Sequence, residues 1–442
     1  MDTVKIEQYV NTKSQFSTVP FPDKIMGRVV SIRSSGKIIF VDILCVAEKI
    51  HKDSVHYQAS IDANNPKFNW FKVNVSRGDI LTMTGEDGSS KTGHPTFFID
   101  DVCLMNKAVS TVPNESIENM DDEFVLRQRM AASIMSRDVR NTFRTRSKIL
   151  SGLRDELKHN GFYEAETPVL QNVKCGALAS PFKTHHNALN ADFYLRVAPE
   201  THLKRYLAAS YLPAVYEIAK CFRNEGISTN HLQEFTMLEF YKVGCNMQEI
   251  IVLTLNLLDT IVQSLELNKT FDTTYLDFND LMKQKGVDPT DPNLRRVLGE
   301  LGFISNDEVE TWEALDDFFK HNVRPNLPKD TFCIVSGYPA EMTPLAVSNR
   351  NKSSMVQIIF NGQELAKMYQ ELVDPIELED NLKEQARCVS DESMQLDHQF
   401  IEDVSYGMPP MIGCGIGIDR VISVMSNLPI KHVIPFPLMN KA

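Results

Sequence analysis

The sequence predicts an α+β protein of more than one domain, with short strands first and helices mixed with strands afterwards. Its 442 residues are enough for roughly two to four domains. Apolar residues make up 43% of the chain and charged residues 24%, which is ordinary for a globular protein with a buried core. Turn-forming residues interrupt the apolar runs of the first hundred residues, whereas apolar stripes with helical spacing begin near residue 141.

The N-terminal part is predicted to be all-β. Strands are expected at 25–30, 37–44, 80–84 and 97–105, with a turn at 34–36 and a Gly/Ser/Lys loop at 85–93. Several short strands with turn signals between them predict a small barrel or sandwich. The acidic stretch 113–123 then predicts a linker. We therefore assign an N-terminal domain to 1–110, a linker to 111–130 and a C-terminal domain to 131–442.

The C-terminal part mixes helices with strands. A helix over 141–159 is predicted by the apolar stripe of Ile149, Leu153 and Leu157, and Asn160-Gly161 provides a stop signal. Further helices are expected at 247–267, over much of 277–322 and at 421–425. Strands are expected at 193–197, 214–222, 331–335 and 355–360.

Composition excludes several classes of function. The eight cysteines include no C-x-x-C pair, so zinc-finger and thioredoxin-like chemistry lack support and a reducing compartment is favoured. The N-terminus has no apolar signal region and no spanning segment is visible, which predicts a cytoplasmic protein without a membrane partner. A net charge of −12 argues against general nucleic-acid binding. It does not exclude a local basic surface in the N-terminal domain, where Arg33 and Lys37 are found.

Charged side chains occupy strand positions that are normally apolar. Along 235–241, alternation places Phe235, Met237, Glu239 and Tyr241 on one face. A carboxylate between aromatic rings is costly unless a cation meets it. Arg223 stands across the predicted hairpin, so this face is expected to bind a small zwitterion and a phosphate.

Two later segments add to the same prediction. Along 367–371, alternation places Lys367, Tyr369 and Glu371 on one face. In the segment 413–420, glycines alternate along a strand, which allows a ligand to approach the backbone closely. This spacing is not the G-x-G-x-x-G of a dinucleotide fold.

Three blocks in order, 161–168, 222–235 and 413–420, resemble the three motifs of the class II aminoacyl-tRNA synthetases. The segments 33–37, 181–189, 194–200 and 361–366 are similar to lysyl-tRNA synthetases in particular, and the likeness covers nearly the whole chain from about residue 26. The resemblance implies an N-terminal OB-fold that reads the anticodon and a C-terminal antiparallel sheet, flanked by helices, that bears the active site. It also implies a homodimer that uses L-lysine, ATP with Mg²⁺ and tRNA(Lys).

The resemblance assigns roles residue by residue. The lysine-binding residues would be Gly176, Glu200, Glu239, Tyr241, Lys367, Tyr369 and Glu371, with Glu239 and Glu371 on the side-chain ammonium and Glu200 on the α-amino group. The ATP-binding residues would be Arg223, Glu225, His231, Phe235, Glu364, Gly415, Gly417 and Arg420, of which Arg223 and Arg420 are catalytic. Glu364 and Gln357 would hold the metal, and Arg33 and Phe40 would contact the anticodon.

Some of these residues have plainer explanations. By itself Glu371 is favoured as a solvated strand residue and Phe40 as part of the barrel core. For Glu200, position alone does not separate a first-turn capping carboxylate from a ligand of the α-amino group, and the match at 198–200 decides for the ligand. His231 alone fits a solvated surface residue. The chain also departs from the family pattern at Ser180, His202, Asn230, Gln357, Lys367 and His94. For Lys367 we hypothesise that it binds the carboxylate or phosphate that other positions no longer bind.

The function predicted is activation of L-lysine to lysyl-adenylate and its transfer to tRNA(Lys). One alternative is a different amino acid, since aspartyl and asparaginyl relatives share the layout, but paired pocket carboxylates would repel an acidic substrate. A second is an impaired or moonlighting paralogue that binds tRNA or a protein. A third is an enzyme that lysylates a protein. Such an enzyme would not need an anticodon-binding domain, whereas the N-terminal part of this chain resembles one.

Overall fold

A computed structural model describes residues 25–45, 56–110, 112, 120–173, 179–226, 231–306, 309–343, 345–388 and 397–440. Two compact units divide the chain, Met1–Asn141 and Thr142–Ala442. The predicted α+β class is confirmed, because the first unit contains a β-barrel and the second a large sheet flanked by helices. No helix among the described residues combines the length and the apolar character that a membrane span requires.

The first unit contains a closed five-stranded barrel. Its elements are β1 (Ile25–Ser35), β2 (Ile38–Cys45), β3 (His56–Asp62), α1 (Phe68–Asn74), β4 (Ile80–Ser89) and β5 (Pro95–Asn106). The strands follow the order β1-β2-β3-β5-β4, and β1 also pairs with β4, which closes the barrel. Alternation along β2 buries Ile39, Val41 and Ile43 in the barrel interior. The predicted small barrel is confirmed, with the OB-like layout that the resemblance implied.

Two details of the barrel differ from the sequence-based prediction. The prediction omits β3, in which Ala59 and Ile61 are buried apolar residues on a strand that is otherwise largely polar, so its alternation is weak. It also places a loop at 85–93, whereas β4 continues to Ser89. A register shift between Thr84 and Gly85 bends β4 and lets it go on pairing with β5.

Three helices follow the barrel: α2 (Asp122–Arg127), α3 (Arg129–Met135) and α4 (Arg137–His159). The first of them lies inside the stretch for which the sequence predicts a linker. In α4, the predicted stripe of Ile149, Leu153 and Leu157 is fully buried. The helix ends before Gly161, whose φ of 80° belongs to the left-handed region that glycine favours.

The second unit is built on an eight-stranded sheet with the order β12-β13-β16-β17-β18-β11-β10-β6. Its elements as far as the middle of the unit are β6 (Tyr163–Glu164), β7 (Leu170–Gln171), β8 (Lys183–His186), β9 (Ala191–Leu195), α5 (Glu200–Ser210), β10 (Ala214–Phe222), β11 (Glu234–Val243), α6 (Met247–Ser264), β12 (Asp272–Asp277) and α7 (Phe278–Gln284). The rest are α8 (Leu294–Glu300), α9 (Thr311–Phe318), β13 (Thr331–Ser336), β14 (Ser348–Asn349), β15 (Lys352–Ser353), β16 (Val356–Phe360), β17 (Gln363–Gln370), α10 (Pro375–Cys388), α11 (His398–Ser405), β18 (Met411–Gly417) and α12 (Ile418–Ser426). The strands from β13 to β10 pair antiparallel, and the two outermost pairings are parallel.

One face of this sheet packs against helices α4, α6 and α12. Leu238 and Phe240 of β11 and Ile416 of β18 point into that core and are fully buried. Because side chains alternate along a strand, the residues between them point to the opposite face. The helices therefore cover one side of the central strands and leave Glu239 and Lys367 on the other side.

Candidate active site

The face of the sheet that the core helices leave open forms the floor of a cavity of about 410 Å³. The neighbouring strands β17, β18 and β11 supply this floor. Gly415 of β18 lies between Lys367 and Glu239 in the strand register, and Gly413 of the same strand lies between a tyrosine of β17 and one of β11. Two rows of functional side chains thus flank a strip of bare backbone.

Most of the predicted site residues line this cavity. They are Glu200, Arg223, Glu225, His231, Phe235, Glu239, Tyr241, Glu364, Lys367, Tyr369, Glu371, Gly415, Gly417 and Arg420. Gln357 lies beside the cavity through a hydrogen bond to Glu364. Gly176 and Asn230 lie outside the described residues.

Two glycines of the floor have different reasons to be glycine. A Cβ on Gly413 would lie 2.2 Å from Cε1 of Tyr241 and 2.6 Å from Oε1 of Glu371, so no other residue fits there. A Cβ on Gly415 would meet its nearest neighbour, Cγ of Glu239, at 3.7 Å, which is an ordinary contact. The close packing makes Gly413 structural, whereas Gly415 keeps the space above the floor open for a ligand.

A buried ammonium group lies at one end of the cavity. Nζ of Lys204 donates to Oε1 of Glu200 at 2.7 Å and also forms an ion pair with Glu371. The same Nζ lies 5.7 Å from the ring centroid of Tyr241 and 5.8 Å from that of Tyr369. Burial would lower the pKa of Lys204, but the charges of Glu200 and Glu371 outweigh that effect and raise the pKa above its ordinary value. Lys204 is therefore a permanent cation of this site.

The carboxylates around this ammonium group are buried and electrostatically strained. The hydroxyl of Tyr241 donates to Oε2 of Glu239 at 3.2 Å, and that of Tyr369 donates to Oε1 of Glu200 at 2.9 Å. Burial, with the charge of Glu200 added, raises the pKa of Glu239 to about 8. Burial also raises the pKa of Glu371 to about 8. Without a bound cation, the charges of these carboxylates are buried at a cost in free energy. A cation that enters the cavity would remove this cost, so the site favours a cationic ligand.

Sequence reasoning missed Lys204. It lies one turn after Glu200 on α5, next to Leu203 and three residues before Leu207, both of which are buried. A lysine on the apolar stripe of a short helix, four residues after a glutamate, was the available signal. It would have predicted an internal ion pair, although the contact with Glu371 depends on tertiary structure.

Arginine and aromatic side chains occupy the other end of the cavity. The guanidinium carbon of Arg223 lies 5.0 Å from the centroid of the Phe235 ring, a cation–π contact. Nε of Arg223 is buried and has no hydrogen-bond partner. Burial lowers the pKa of Arg420, and burial together with the charge of Arg420 lowers the pKa of His231. Such cations, concentrated and partly desolvated, suit an anionic ligand.

A buried ion pair holds the start of α12, which carries Arg420, against β11. Oδ1 of Asp419 accepts from Nη1 of Arg146 at 2.6 Å, and Oδ2 accepts from the backbone N–H of Thr236 at 2.7 Å. Nη2 of Arg146 also donates to the hydroxyl oxygen of Thr236 at 2.7 Å. These bonds fix Arg420 relative to Phe235, since each is a direct chain neighbour of a bonded residue.

The predicted metal ligands form a hydrogen-bonded chain. The hydroxyl of Tyr338 donates to Oε1 of Gln357 at 2.8 Å, and Nε2 of Gln357 donates to Oε2 of Glu364 at 2.8 Å. Both polar atoms of the Gln357 side chain are thus hydrogen-bonded within the protein, so Gln357 does not fit as a metal ligand. Glu364 uses only one carboxylate oxygen in this chain, and the other could bind a metal ion. Within the described part of the chain, no three His, Cys, Asp or Glu side chains are arranged to hold a metal ion.

The two predicted anticodon residues lie on adjacent strands of the barrel. Arg33 of β1 is opposite Phe40 of β2, and Arg33 forms an ion pair with Asp42 at 3.1 Å. Phe40 is only partly buried and alternates with the inward-pointing Ile39 and Val41. Its ring therefore faces the outside of the barrel, and the barrel-core explanation favoured from sequence alone is wrong.

Comparison with known proteins gives the class of protein that the fold and the cavity define. Residues 121–440 match the model of the family described as tRNA synthetases class II (D, K and N). This match covers the large sheet and every residue that lines the cavity.

Full-length relatives narrow the class. The chain is 35% identical to the lysine–tRNA ligase of Methanospirillum hungatei, with 97% of this chain and 88% of the relative covered. It is 31% identical to that of Wigglesworthia glossinidia brevipalpis, with 98% and 91% covered, and 35% identical to that of Saccharolobus solfataricus, with 94% and 86% covered. The chain therefore belongs to the lysine–tRNA ligase family of class II tRNA synthetases.

Proposed function

We propose that this chain activates L-lysine with ATP to form lysyl-adenylate and pyrophosphate, and then transfers the lysyl group to the 3′ end of tRNA(Lys). The observation that carries the proposal is the cavity itself. It joins a buried carboxylate cluster at one end to Arg223, Phe235 and Arg420 at the other. An amino acid with two ammonium groups and a nucleotide would meet between them, over Gly415.

The charge balance of the carboxylate cluster suits lysine. Glu200, Glu239 and Glu371 carry three negative charges when ionised, and Lys204 carries one positive charge, which leaves two negative charges uncompensated. L-lysine brings two ammonium groups. We assign the side-chain ammonium to Glu239 and Glu371 and the α-ammonium to Glu200, with the rings of Tyr241 and Tyr369 enclosing the aliphatic stem.

At the other end we assign ATP. Phe235 would stack on adenine, Glu225 would accept from its amino group, and His231 would meet the outer phosphates. The planar fork of Arg223, whose buried Nε lacks a partner, would bind the α-phosphate, and Arg420 would bind the γ-phosphate. Gly415 and Gly417 would let the ligand approach the backbone.

No side-chain nucleophile is needed for the first step. The carboxylate of lysine attacks the α-phosphorus in line, its bond to that phosphorus forms as the bond to the β-phosphate oxygen breaks, and pyrophosphate leaves. Catalysis then consists of positioning and charge neutralisation by Arg223 and Arg420. Mg²⁺, when bound, would neutralise phosphate charge, and Glu364 is the side chain that would hold it.

Further assignments rest on the family. We propose that residues 1–110 form the anticodon-binding domain, in which Arg33 and Phe40 contact RNA bases, that 111–130 connect the domains, and that 131–442 form the catalytic domain. Outward-facing Phe40 supports this, because an exposed ring stacks on an unpaired base. A homodimer is supported by the exposed apolar side chains of Tyr163 and Leu170, which are 53% and 50% accessible. A cytoplasmic location follows the family.

Pyrophosphate exchange across a panel of amino acids, followed by charging of total tRNA, tests the proposal. We expect exchange that depends on L-lysine and charging of lysine-accepting tRNA. Exchange with another amino acid, or no exchange with any, would refute it. Lysine-dependent exchange without charging would refute the transfer to tRNA(Lys) and the assignments in the barrel, but not the activation of lysine.

A further inference from the structure

We propose that Lys367 is a resident cation that binds the α-phosphate of ATP directly, so that this site depends less on a divalent cation than a site with paired acidic ligands would. The inference rests on the proposed use of ATP. It assigns a binding role to the Lys367 ammonium and removes Gln357 from the metal site.

The first observation is the position of Lys367 in the cavity. It lies in the same cross-strand row as Glu239, with Gly415 between them, and lines the cavity from β17. With strands spaced about 4.8 Å apart, a ligand over Gly415 is within reach of both side chains. The row lies between the lysine end, at Gly413, and the nucleotide end, at Gly417. In the proposed binding mode, the substrate carboxylate and the α-phosphate meet at this junction.

The second observation is that Lys367 lacks a counter-ion. Among the described residues, none forms a hydrogen bond or an ion pair with its ammonium group, although the residue is half-buried. The described part of the protein therefore supplies no anion for this ammonium, and an anionic ligand in the cavity would. Arg223 lines the same cavity, and its Nε is buried without a hydrogen-bond partner. Two cationic side chains of one cavity therefore lack an anionic partner that a ligand could provide.

The third observation concerns Gln357, which is directly opposite Lys367 on β16. Its carbonyl oxygen accepts from the fully buried Tyr338, and its amide nitrogen donates to Glu364. Gln357 thus presents a donor, not a lone pair, towards the cavity carboxylate. A metal ion beside Glu364 would face this N–H donor and the positive charge of Lys367. Both disfavour binding of a divalent cation between Gln357 and Glu364.

These observations together describe a substitution of charge. Where two carboxylates could hold a divalent cation against the phosphates, the chain has one carboxylate, a neutral amide locked by Tyr338, and a lysine across the strand pair. A lysine binds phosphate as a point charge without coordination geometry. Lys367 would therefore neutralise the α-phosphate whether or not the metal is present.

The test is equilibrium binding of a non-cleavable α,β-methylene ATP to the full chain, by calorimetry, in EDTA and in excess Mg²⁺. We compare wild type with Lys367→Met and with Lys367→Arg, which keeps the charge. In EDTA, Lys367→Met should weaken binding about 10- to 100-fold, the range for one charged hydrogen bond, and Lys367→Arg should retain most of the affinity. L-lysine binding, measured in parallel, should weaken less than nucleotide binding in Lys367→Met, and a urea midpoint close to that of wild type shows that both variants fold.

A second readout counts metal ions. Electron paramagnetic resonance of Mn²⁺ with the nucleotide analogue should show one more protein-bound ion in Gln357→Glu than in wild type. Metal-free nucleotide binding unaffected by Lys367→Met would overturn the inference, as would loss of L-lysine binding with nucleotide binding intact. Wild type that already holds as many Mn²⁺ ions as Gln357→Glu would also overturn it. Failure of wild type to bind the analogue at all would instead refute the proposed use of ATP.

Discussion

Replacement of Glu239 with glutamine should make the lysine-free protein more stable while it impairs the use of lysine. Glu239 is only 5% exposed, and burial raises its pKa from an ordinary 4.5 to about 8. A carboxyl whose pKa is raised on folding favours the folded state below pH 4.5, and this advantage is lost as the pH rises towards 8. At pH 7 the loss amounts to about 3 kcal/mol, at 1.36 kcal/mol per pH unit above 4.5.

Glutamine keeps the shape of the side chain and an acceptor for Tyr241, but it has no charge to bury. We therefore expect Glu239→Gln to raise the free energy of unfolding at pH 7 by up to about 3 kcal/mol, and to raise it little near pH 4.5. For lysine, the variant loses a charged hydrogen-bond partner, which lowers kcat/KM roughly 10- to 100-fold. The KM for ATP should change little.

Urea denaturation at several pH values and pyrophosphate exchange measure the two effects. A matched contrast is Glu217→Gln, because Glu217 faces Glu239 across the β10–β11 pair. Its carboxylate accepts from Arg196 at 2.7 Å and from Thr167 at 2.6 Å, so its loss should destabilise the protein. A Glu239→Gln variant that is less stable than wild type at pH 7, or that uses lysine normally, would refute the reasoning.

Three further predictions follow from the same cavity. Lysine affinity should rise up to about tenfold per pH unit towards pH 8, because Glu239 must ionise to bind the ammonium group. Calorimetry in buffers of different ionisation enthalpy should detect the proton that is released. An affinity that does not depend on pH would contradict this. Gly413→Ala should abolish lysine activation and lower the urea midpoint, since its Cβ would lie 2.2 Å from the Tyr241 ring, whereas Gly415→Ala should leave the midpoint close to wild type; equal midpoints for the two would contradict the packing. Lys204→Met should destabilise the protein by about 3–5 kcal/mol in urea denaturation, because it leaves Glu200 and Glu371 without their cation; an unchanged midpoint would show that the ammonium is not buried with them.

The sequence predicted well those features that depend on strand alternation. Period-two spacing placed Glu239 and Tyr241 on one face and Lys367 and Tyr369 on another, and the strand register shows that these belong to one cavity floor. The alternation of side chains along β2 also predicts that Phe40 points outward. The explanation as a core residue was favoured instead, because aromatic residues are so often buried. Local pattern therefore identified the faces, while their assembly depended on the sheet order.

Features that depend on distant contacts could not be predicted. The pairing of Lys204 with Glu371 joins a helix to the end of a strand that lies far along the chain. The lock on Gln357 requires Tyr338, which arrives from the loop after β13. Neither contact has a sequence period, so only the folded arrangement shows that an internal ammonium occupies the carboxylate cluster and that the predicted metal ligand is already bonded.

The most direct measurement is a crystal structure of the full chain with L-lysine and α,β-methylene ATP. The side-chain nitrogen of the bound lysine should lie within hydrogen-bond distance of Glu239 and Glu371, with its carboxylate over Gly415 and facing the α-phosphate. A lysine whose side-chain nitrogen lies away from both glutamates, or a nucleotide bound outside the cavity of Arg223 and Arg420, would contradict the proposed recognition of lysine.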